Sequence, residues 1–276
     1  MTTDTRVSAA EVASHMGQLP PMPQVAGRVL ALLESTEATS TRLQKVIESD
    51  PALTAAVLRL VNSAMFSLPN KIGTLSHAIT LIGFLRLKSL TMATIIAGVK
   101  GIIPERAALR RDQIWEHSVN VALAARVLAE RQHHSWSEEA FLAGMLHDCG
   151  RLVLLAQLTD EYMRLMDGAL LPSLTDEQAT LGLDHQQVGA ALLRQWGLSD
   201  QLVTACSSHH GDAGLSCPYP DLLATVMLAD RMMPGEPPED PVPPARRLGF
   251  EADEIDQLTQ LVRHRAVEMR TEFLAL

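Results

Sequence analysis

Ten histidines in a chain with two tyrosines and five phenylalanines raise the first chemical question. Histidine is the commonest metal ligand and the usual acid–base residue near neutral pH. Five of the ten join two aspartates in an ordered series: His117, His147-Asp148, His185, His209-His210 and Asp230. Neutral imidazoles and ionised carboxylates together suit a divalent first-row metal, and these groups are enough for one or two ions. Spacing alone leaves a second reading open, because no compact motif such as His-Glu-x-x-His is present. On that reading His117 and His185 are satisfied helix histidines, His209-His210 is a solvated helix end, and Asp230 is a surface partner of Arg231. His15, His77, His133, His134 and His264 read as ordinary helix or loop residues.

These side chains need a scaffold, and the apolar periodicity is helical almost throughout. Val25, Val29, Leu30 and Leu33 share a face behind Pro23, and a second helix is predicted over 41–48. Asp50-Pro51 supplies an N-cap and a first-turn proline for the apolar run over 53–60. Thr74 or Ser76 caps a helix carrying Ala78, Ile79 and Ile82, which Gly83 ends before another helix over 84–99. Gly101 and Pro104 mark a seam, and a long helix is predicted over 107–131. Ser137, with Glu138 and Glu139 behind it, opens the next helix. That helix is expected to end at Gly150, in a left-handed cap just past His147-Asp148. Further helices are predicted over 159–167, 175–181, 185–195 (capped by Asp184), 200–209 and 220–230, then over 253–273 after a proline-rich linker or arm at 234–244. No Asn-Gly or Asp-Gly hairpin turn and no glycine-rich phosphate loop interrupts this pattern, so the fold class is all-α.

The 276 residues, 47% hydrophobic and 20% charged, set a prior of one or two globular domains. A net charge of −9 argues against a nucleic-acid binder and against an anionic membrane surface. The clearest basic cluster, Arg106, Arg110 and Arg111, is followed by Asp112 and reads as a solvated helix end. Cys149, Cys206 and Cys217 form no close pair in the sequence and no metal-knuckle spacing, which fits a reducing compartment. The N-terminus lacks the apolar core of a signal peptide. The most apolar stretch, 90–103, is interrupted by Lys100 and falls short of the ~20 residues that a bilayer requires. The expectation is a soluble, cytoplasmic protein.

Several landmarks recur in a recognisable order. They are Leu19-Pro20-Pro21-Met22-Pro23, Asp50-Pro51-Ala52-Leu53-Thr54, and Leu58-Arg59-Leu60-Val61-Asn62-Ser63-Ala64. Lys71-Ile72, Ala78-Ile79 and Leu81-Ile82-Gly83 follow, then Phe141-Leu142-Ala143-Gly144-Met145-Leu146-His147-Asp148-Cys149-Gly150. Asp184-His185, Val188-Gly189-Ala190, Leu193, Trp196-Gly197-Leu198 and His209-His210 complete the series. Residues 19–211 thereby resemble an HDOD domain, a regulatory relative of the HD and HD-GYP metal-dependent phosphohydrolases.

The resemblance implies a multi-helix HDOD fold, with an N-terminal helical subdomain at 19–103 and an HD-like bundle at 104–211. A tail at 1–18 precedes it, and C-terminal helices with the proline-rich arm at 234–244 occupy 212–276. It implies a bacterial signal-transduction module that acts by binding other signalling proteins or by sensing a ligand in a degenerate HD-like pocket. The alternative it implies is a phosphodiesterase-type metal-dependent phosphohydrolase acting on a nucleotide or cyclic dinucleotide. Carried over by position, His117, His147, Asp148, His185, His209, His210 and Asp230 would be ligands of iron, manganese or zinc. Three departures stand against hydrolysis: Arg151 replaces the lysine three residues after the HD aspartate, Gly211 replaces an acidic residue, and the Gly-Tyr-Pro loop is missing, with Tyr219-Pro220 a partial echo. Arg151 is a candidate phosphate or ligand contact, although a guanidinium cannot give up its proton as an ammonium can. Asp50, Asn62 and Ser63 form a motif with either a partner-binding or a structural role. No residue stands out as a general acid or nucleophile.

Overall fold

Short polar side chains cap several of the N-terminal helices. The structure is a computed structural model that describes residues 19–22, 24–34, 39–62, 66, 68, 70–167, 170–211, 216–234, 239–269 and 271–274. Helix α1 (Gln24–Glu34) leads into α2 (Ser40–Glu48), which is capped by Thr39. The Asp50 carboxylate accepts from the Ala52 and Leu53 N–H groups, both at 3.0 Å, and opens α3 (Pro51–Val61). Thr74 caps α4 (Leu75–Ile82), and Gly83, at φ 83°, turns the chain into α5 (Phe84–Ala97). Two 3₁₀ turns, Gly98–Ile102 and Glu105–Ala107, occupy the expected seam. No strand occurs among the described residues, and the protein is all-α.

Asn62 closes α3 by a clamp rather than by a cap alone. Its amide nitrogen donates to the Leu58 and Ile72 carbonyls, both at 2.8 Å, and its oxygen accepts from the Ile72 N–H at 2.6 Å. One side chain therefore holds the loop before α4 against the end of α3. This is a structural role for Asn62; Ser63 lies outside the described residues.

The bundle forms around α6 (Ala108–Arg131), in which every residue from His117 to Arg126 is buried. A helix enclosed on all sides belongs at the centre of a fold rather than on its surface. Helices α7 (Ser137–Leu146), α13 (Pro220–Met232) and α15 (Ile255–Met269) pack against it. Between them in sequence lie α8 (Cys149–Gln157), α9 (Thr159–Met166), α10 (Leu174–Leu181), α11 (His185–Gln195) and α12 (Asp200–Ser208). The N-terminal helices join the bundle through Glu138, which accepts from Arg86 at 3.2 Å and from the buried Arg126 at 2.7 Å. The opening landmark is tied in too, because Trp196 Nε1 donates to the Pro20 carbonyl at 3.1 Å. No single described helix is long and apolar enough to cross a membrane.

Four expectations need correction. The helix expected over 137–150 stops at Leu146, and a fresh one, α8, begins at Cys149. Gly150 is not a left-handed cap: it lies inside α8, where a Cβ would come within 2.0 Å of the His185 carbonyl oxygen and 2.7 Å of Gly189 N. Glycine is required there by contact with α11, not by backbone conformation. The proline-rich arm is also shorter than expected, since Val242–Arg247 form helix α14, with prolines in a first turn that has no N–H to lose. Finally, the last predicted helix opens with a 3₁₀ turn at Ala252–Glu254, and α15 and the helical residues Thr271–Leu274 (α16) follow it. Trp115 Nε1 donates to the Phe273 carbonyl at 2.9 Å, so this segment covers the central helix.

Gly150→Ala is therefore expected to destabilise the fold by at least the roughly 1–3 kcal/mol typical of overpacking. Gly98→Ala, where a Cβ meets nothing within 4 Å, should be neutral or stabilising. Equilibrium urea unfolding of the two variants measures the contrast, and equal stabilities would refute the contact.

Candidate metal centre

Five separate elements deliver the histidine–aspartate series to one place. His117 projects from the middle of α6, and His147 and Asp148 occupy the break between α7 and α8. His185 is the first residue of α11, held by a capping box between Asp184 and Gln187. His209 ends α12 with His210 beside it, and Asp230 lies in the last turn of α13. With its amide oriented to satisfy both groups, Gln186 accepts from the His209 and His210 N–H groups at 3.0 and 2.9 Å. All seven sequence-predicted ligands thus converge, although Asp230 comes from beyond the stretch that resembles an HDOD domain.

The cluster has two halves sharing Asp148. Asp148 Oδ1 lies 3.3 Å from His185 Nε2 and 3.5 Å from His209 Nε2. Its other oxygen, Oδ2, lies 3.6 Å from His147 Nε2 and 3.8 Å from His117 Nε2. Asp230 Oδ1 joins the second half, 2.9 Å from His117 Nε2 and 3.7 Å from His147 Nε2. Candidate ligand atoms of Asp148, His185, His209 and His210 fall within 4.8 Å of one another, as do those of His117, His147 and Asp148.

The outer ring nitrogens explain why the inner ones face the carboxylates. His147 Nδ1 donates to the Gly144 carbonyl at 2.7 Å, and His209 Nδ1 to the Cys206 carbonyl at 2.9 Å. His185 Nδ1 donates to Glu177 at 2.7 Å, and His210 Nδ1 to Glu239 at 3.0 Å. A ring that is neutral and protonated at Nδ1 presents an Nε2 lone pair, the arrangement found in metal-bound histidine. His147 Nε2 faces His117 Nε2 at 3.3 Å, and His185 Nε2 faces His209 Nε2 at the same distance. Buried Asp148 Oδ1 receives no hydrogen bond among the described residues. Converging ring nitrogens and an unbonded buried carboxylate oxygen form a donor set that could hold a divalent cation.

The same crowding shifts the titrations. Burial opposes charge on Asp148, yet Arg151, His147 and His185 hold its carboxyl well below the usual range. Burial also opposes charge on His147, but Asp148 and Asp230 outweigh it and push the imidazole up to about 9. His209 goes the other way, to about 3, because burial and the neighbouring His210 both disfavour its cation. His147 thus holds a proton near neutral pH, and His209 refuses one.

Arg151 is held inside the core. Its buried guanidinium donates to Asp148 at 2.8 Å, to the Pro172 carbonyl at 2.7 Å and to Glu177 at 3.1 Å. A phosphate would have to displace these partners, so Arg151 supports Asp148 from within the core. Glu177 is the residue that the sequence pattern missed. Its two oxygens take His185 on one side and Arg151 and Tyr162 on the other, at 2.7, 3.1 and 2.6 Å. Glu239, which accepts from Arg231 Nε at 3.1 Å, was missed as well. Neither carboxylate carries a local signal: Glu177 sits beside Asp176 in the acidic first turn of a short helix, and Glu239 in the proline-rich stretch. Asp50 and Asn62 lie at the two ends of α3 and act on local backbone.

A helical bundle enclosing a histidine–aspartate cluster, with a second helical layer docked through Glu138, is the class of protein that this geometry defines. The family model for the HDOD domain matches residues 19–211, and the chain belongs to the HDOD domain family. Among solved structures, an HDOD domain protein with unknown function from Geobacter sulfurreducens is 23% identical, with a TM-score of 0.78 over 96% of each chain. A suggested phosphohydrolase from Shewanella amazonensis SB2B is 24% identical, with a TM-score of 0.73 over 96% of this chain and 98% of that one. These likenesses show the same fold. An uncharacterized protein of Treponema pallidum (strain Nichols) is 23% identical over 248 residues, 87% of this chain and 48% of its own length. The chain therefore spans about half of that relative.

Arg151→Met is expected to cost about 3–5 kcal/mol, because it removes the buried guanidinium that pairs with both Asp148 and Glu177. Chemical denaturation of the purified variant measures this. A fully stable variant with weakened phosphate binding would instead return Arg151 to a ligand-facing role.

Proposed function

We propose that this chain is a regulatory signal-transduction protein whose HD-like centre holds one or two divalent first-row ions: iron, manganese or zinc. On this reading it acts by binding other signalling proteins or by sensing a ligand at the centre. Enclosure is the observation that supports regulation over turnover: His147, Asp148, His185 and His209 have no exposed surface. Catalytic metal sites keep a position open to water and substrate, whereas structural ones are closed by protein ligands. The guanidinium best suited by type to hold a phosphate is also committed to Asp148 and Glu177. A groove of about 640 Å³ between α3 and α5, lined by Leu53, Ala56, Arg59, Ile95 and Lys100, is where a partner would bind on this reading.

A second reading, a metal-dependent phosphohydrolase acting on a nucleotide or cyclic dinucleotide, draws support from one feature. Asp148 offers a separate oxygen to each half of the cluster, which is what a two-metal site asks of a shared carboxylate. When bound, a metal pair would supply Lewis-acid polarisation of a phosphoryl oxygen and acidify a water. In both readings the chain's own residues have the same tasks. The imidazoles present Nε2, Asp148 and Asp230 offset cationic charge, and Glu177 and Glu239 orient the rings behind them.

Metal analysis of protein purified without chelator, together with a phosphodiester hydrolysis panel, separates the readings. The proposal expects near-stoichiometric iron, manganese or zinc, at least tenfold less in His147→Ala, and no turnover. Metal with turnover would establish the hydrolase instead, and no metal in the wild type would remove both readings.

A further inference from the structure

The two halves of the cluster are not equivalent. His185 and His209 stand at Asp148 Oδ1, and His210 brings a third imidazole to the same group. Two of these are backed by carboxylates: His185 by Glu177 at 2.7 Å and His210 by Glu239 at 3.0 Å. Both carboxylates are themselves fixed, Glu177 by Tyr162 and Arg151, and Glu239 by Arg231. Around Asp148 Oδ2 stand two imidazoles and a second carboxylate, Asp230. There the backing is thinner. His147 leans on a single carbonyl, and the Nδ1 of His117 has no hydrogen-bond partner among the described residues.

Donor type and backing point in the same direction. Imidazole-rich sites suit zinc and iron, whereas carboxylate-rich sites suit manganese and magnesium. A carboxylate behind a ligating histidine fixes its tautomer and ring orientation and raises its basicity, and losing such a partner typically costs 10–100-fold in metal affinity. Asp230 adds charge to the other half, but as a hard oxygen donor beside a ring that no second bond orients.

We infer that His185, His209 and His210 form a retained zinc- or iron-preferring position, while His117, His147 and Asp230 form an exchangeable, manganese-tolerant one. Glu177 and Glu239 are the positioning residues that make the first position hold. The inference rests on the proposal that the centre binds metal. It adds that the protein passes through a stable singly loaded state and that occupancy of the second position is what can vary.

The test loads the full chain with zinc(II), then removes metal by graded chelator competition, with metal per chain counted by mass spectrometry. Wild type should release metal in two steps, and manganese(II) should replace only the first equivalent lost. His117→Ala should remove that first step and leave the retained one unchanged. Glu177→Gln and Glu239→Gln should each weaken the retained step about 10–100-fold, with a far-UV circular dichroism spectrum like that of the wild type. Glu239→Asp, which keeps the charge, should recover part of the loss. If Glu177→Gln fails to fold, Glu239→Gln decides, since its side chain is 31% exposed and outside the core. Unchanged release in a folded Glu239→Gln, or loss of the retained equivalent in His117→Ala, overturns the inference while the metal centre stands. A wild type that takes up no zinc fails one step earlier and overturns the proposed function with it.

Discussion

A carboxylate with no exposed surface sits at the centre of this fold, and most of the bundle can be understood as what keeps Asp148 there. Removing a carboxylate from water costs several kcal/mol even after the protein relaxes. The chain offsets that cost from all sides. Arg151 donates from the first turn of α8 at 2.8 Å, and four imidazoles place Nε2 within 3.3–3.8 Å of one or other oxygen. Each of these groups must itself be buried and oriented. The requirement therefore spreads outward, to Glu177 and Tyr162 behind Arg151 and His185, and to the backbone carbonyls of Gly144 and Cys206.

This constraint accounts for features that packing alone leaves arbitrary. The chain breaks its helix at His147-Asp148 so that two adjacent residues can both face inward, which a continuous helix would splay by about 100°. Helix α8 then has to lie close enough to α11 for Asp148 to meet His185, and glycines at 150 and 189 permit that approach. A small residue also lies under the α6–α7 crossing, where a Cβ on Gly144 would come within 2.8 Å of Ala122 Cα. Cys149 and Cys206, remote in sequence, are both buried beside the α8–α11 contact, and the neighbouring Cys149 thiol together with burial pushes the Cys206 thiol up. They fill space near the centre as apolar groups do.

Much of this was legible in the residues themselves. Helix starts at Asp50-Pro51, Thr74 and Asp184 carry their own caps and fell where expected. The seven converging side chains were named in order, though only the family resemblance gave that order meaning, because spacing does not say which helix faces which. The misread elements fail for a common reason. Gly150 resembles a cap by its position after a polar dipeptide, but its role is set by a partner 35 residues away. Glu177 and Glu239 look like ordinary solvated acids, and Arg151 like a phosphate ligand, until tertiary packing brings their partners to them. Long-range contact decides such roles, and local pattern does not carry it.

The account depends on Asp148 serving two halves of one centre at once. Anomalous diffraction from crystals of the zinc-loaded protein, recorded at the zinc edge, tests this directly. The account predicts two peaks flanking the Asp148 carboxylate, one beside His185, His209 and His210 and one beside His117, His147 and Asp230. No peak within the cluster, or peaks only at surface histidines, would contradict it.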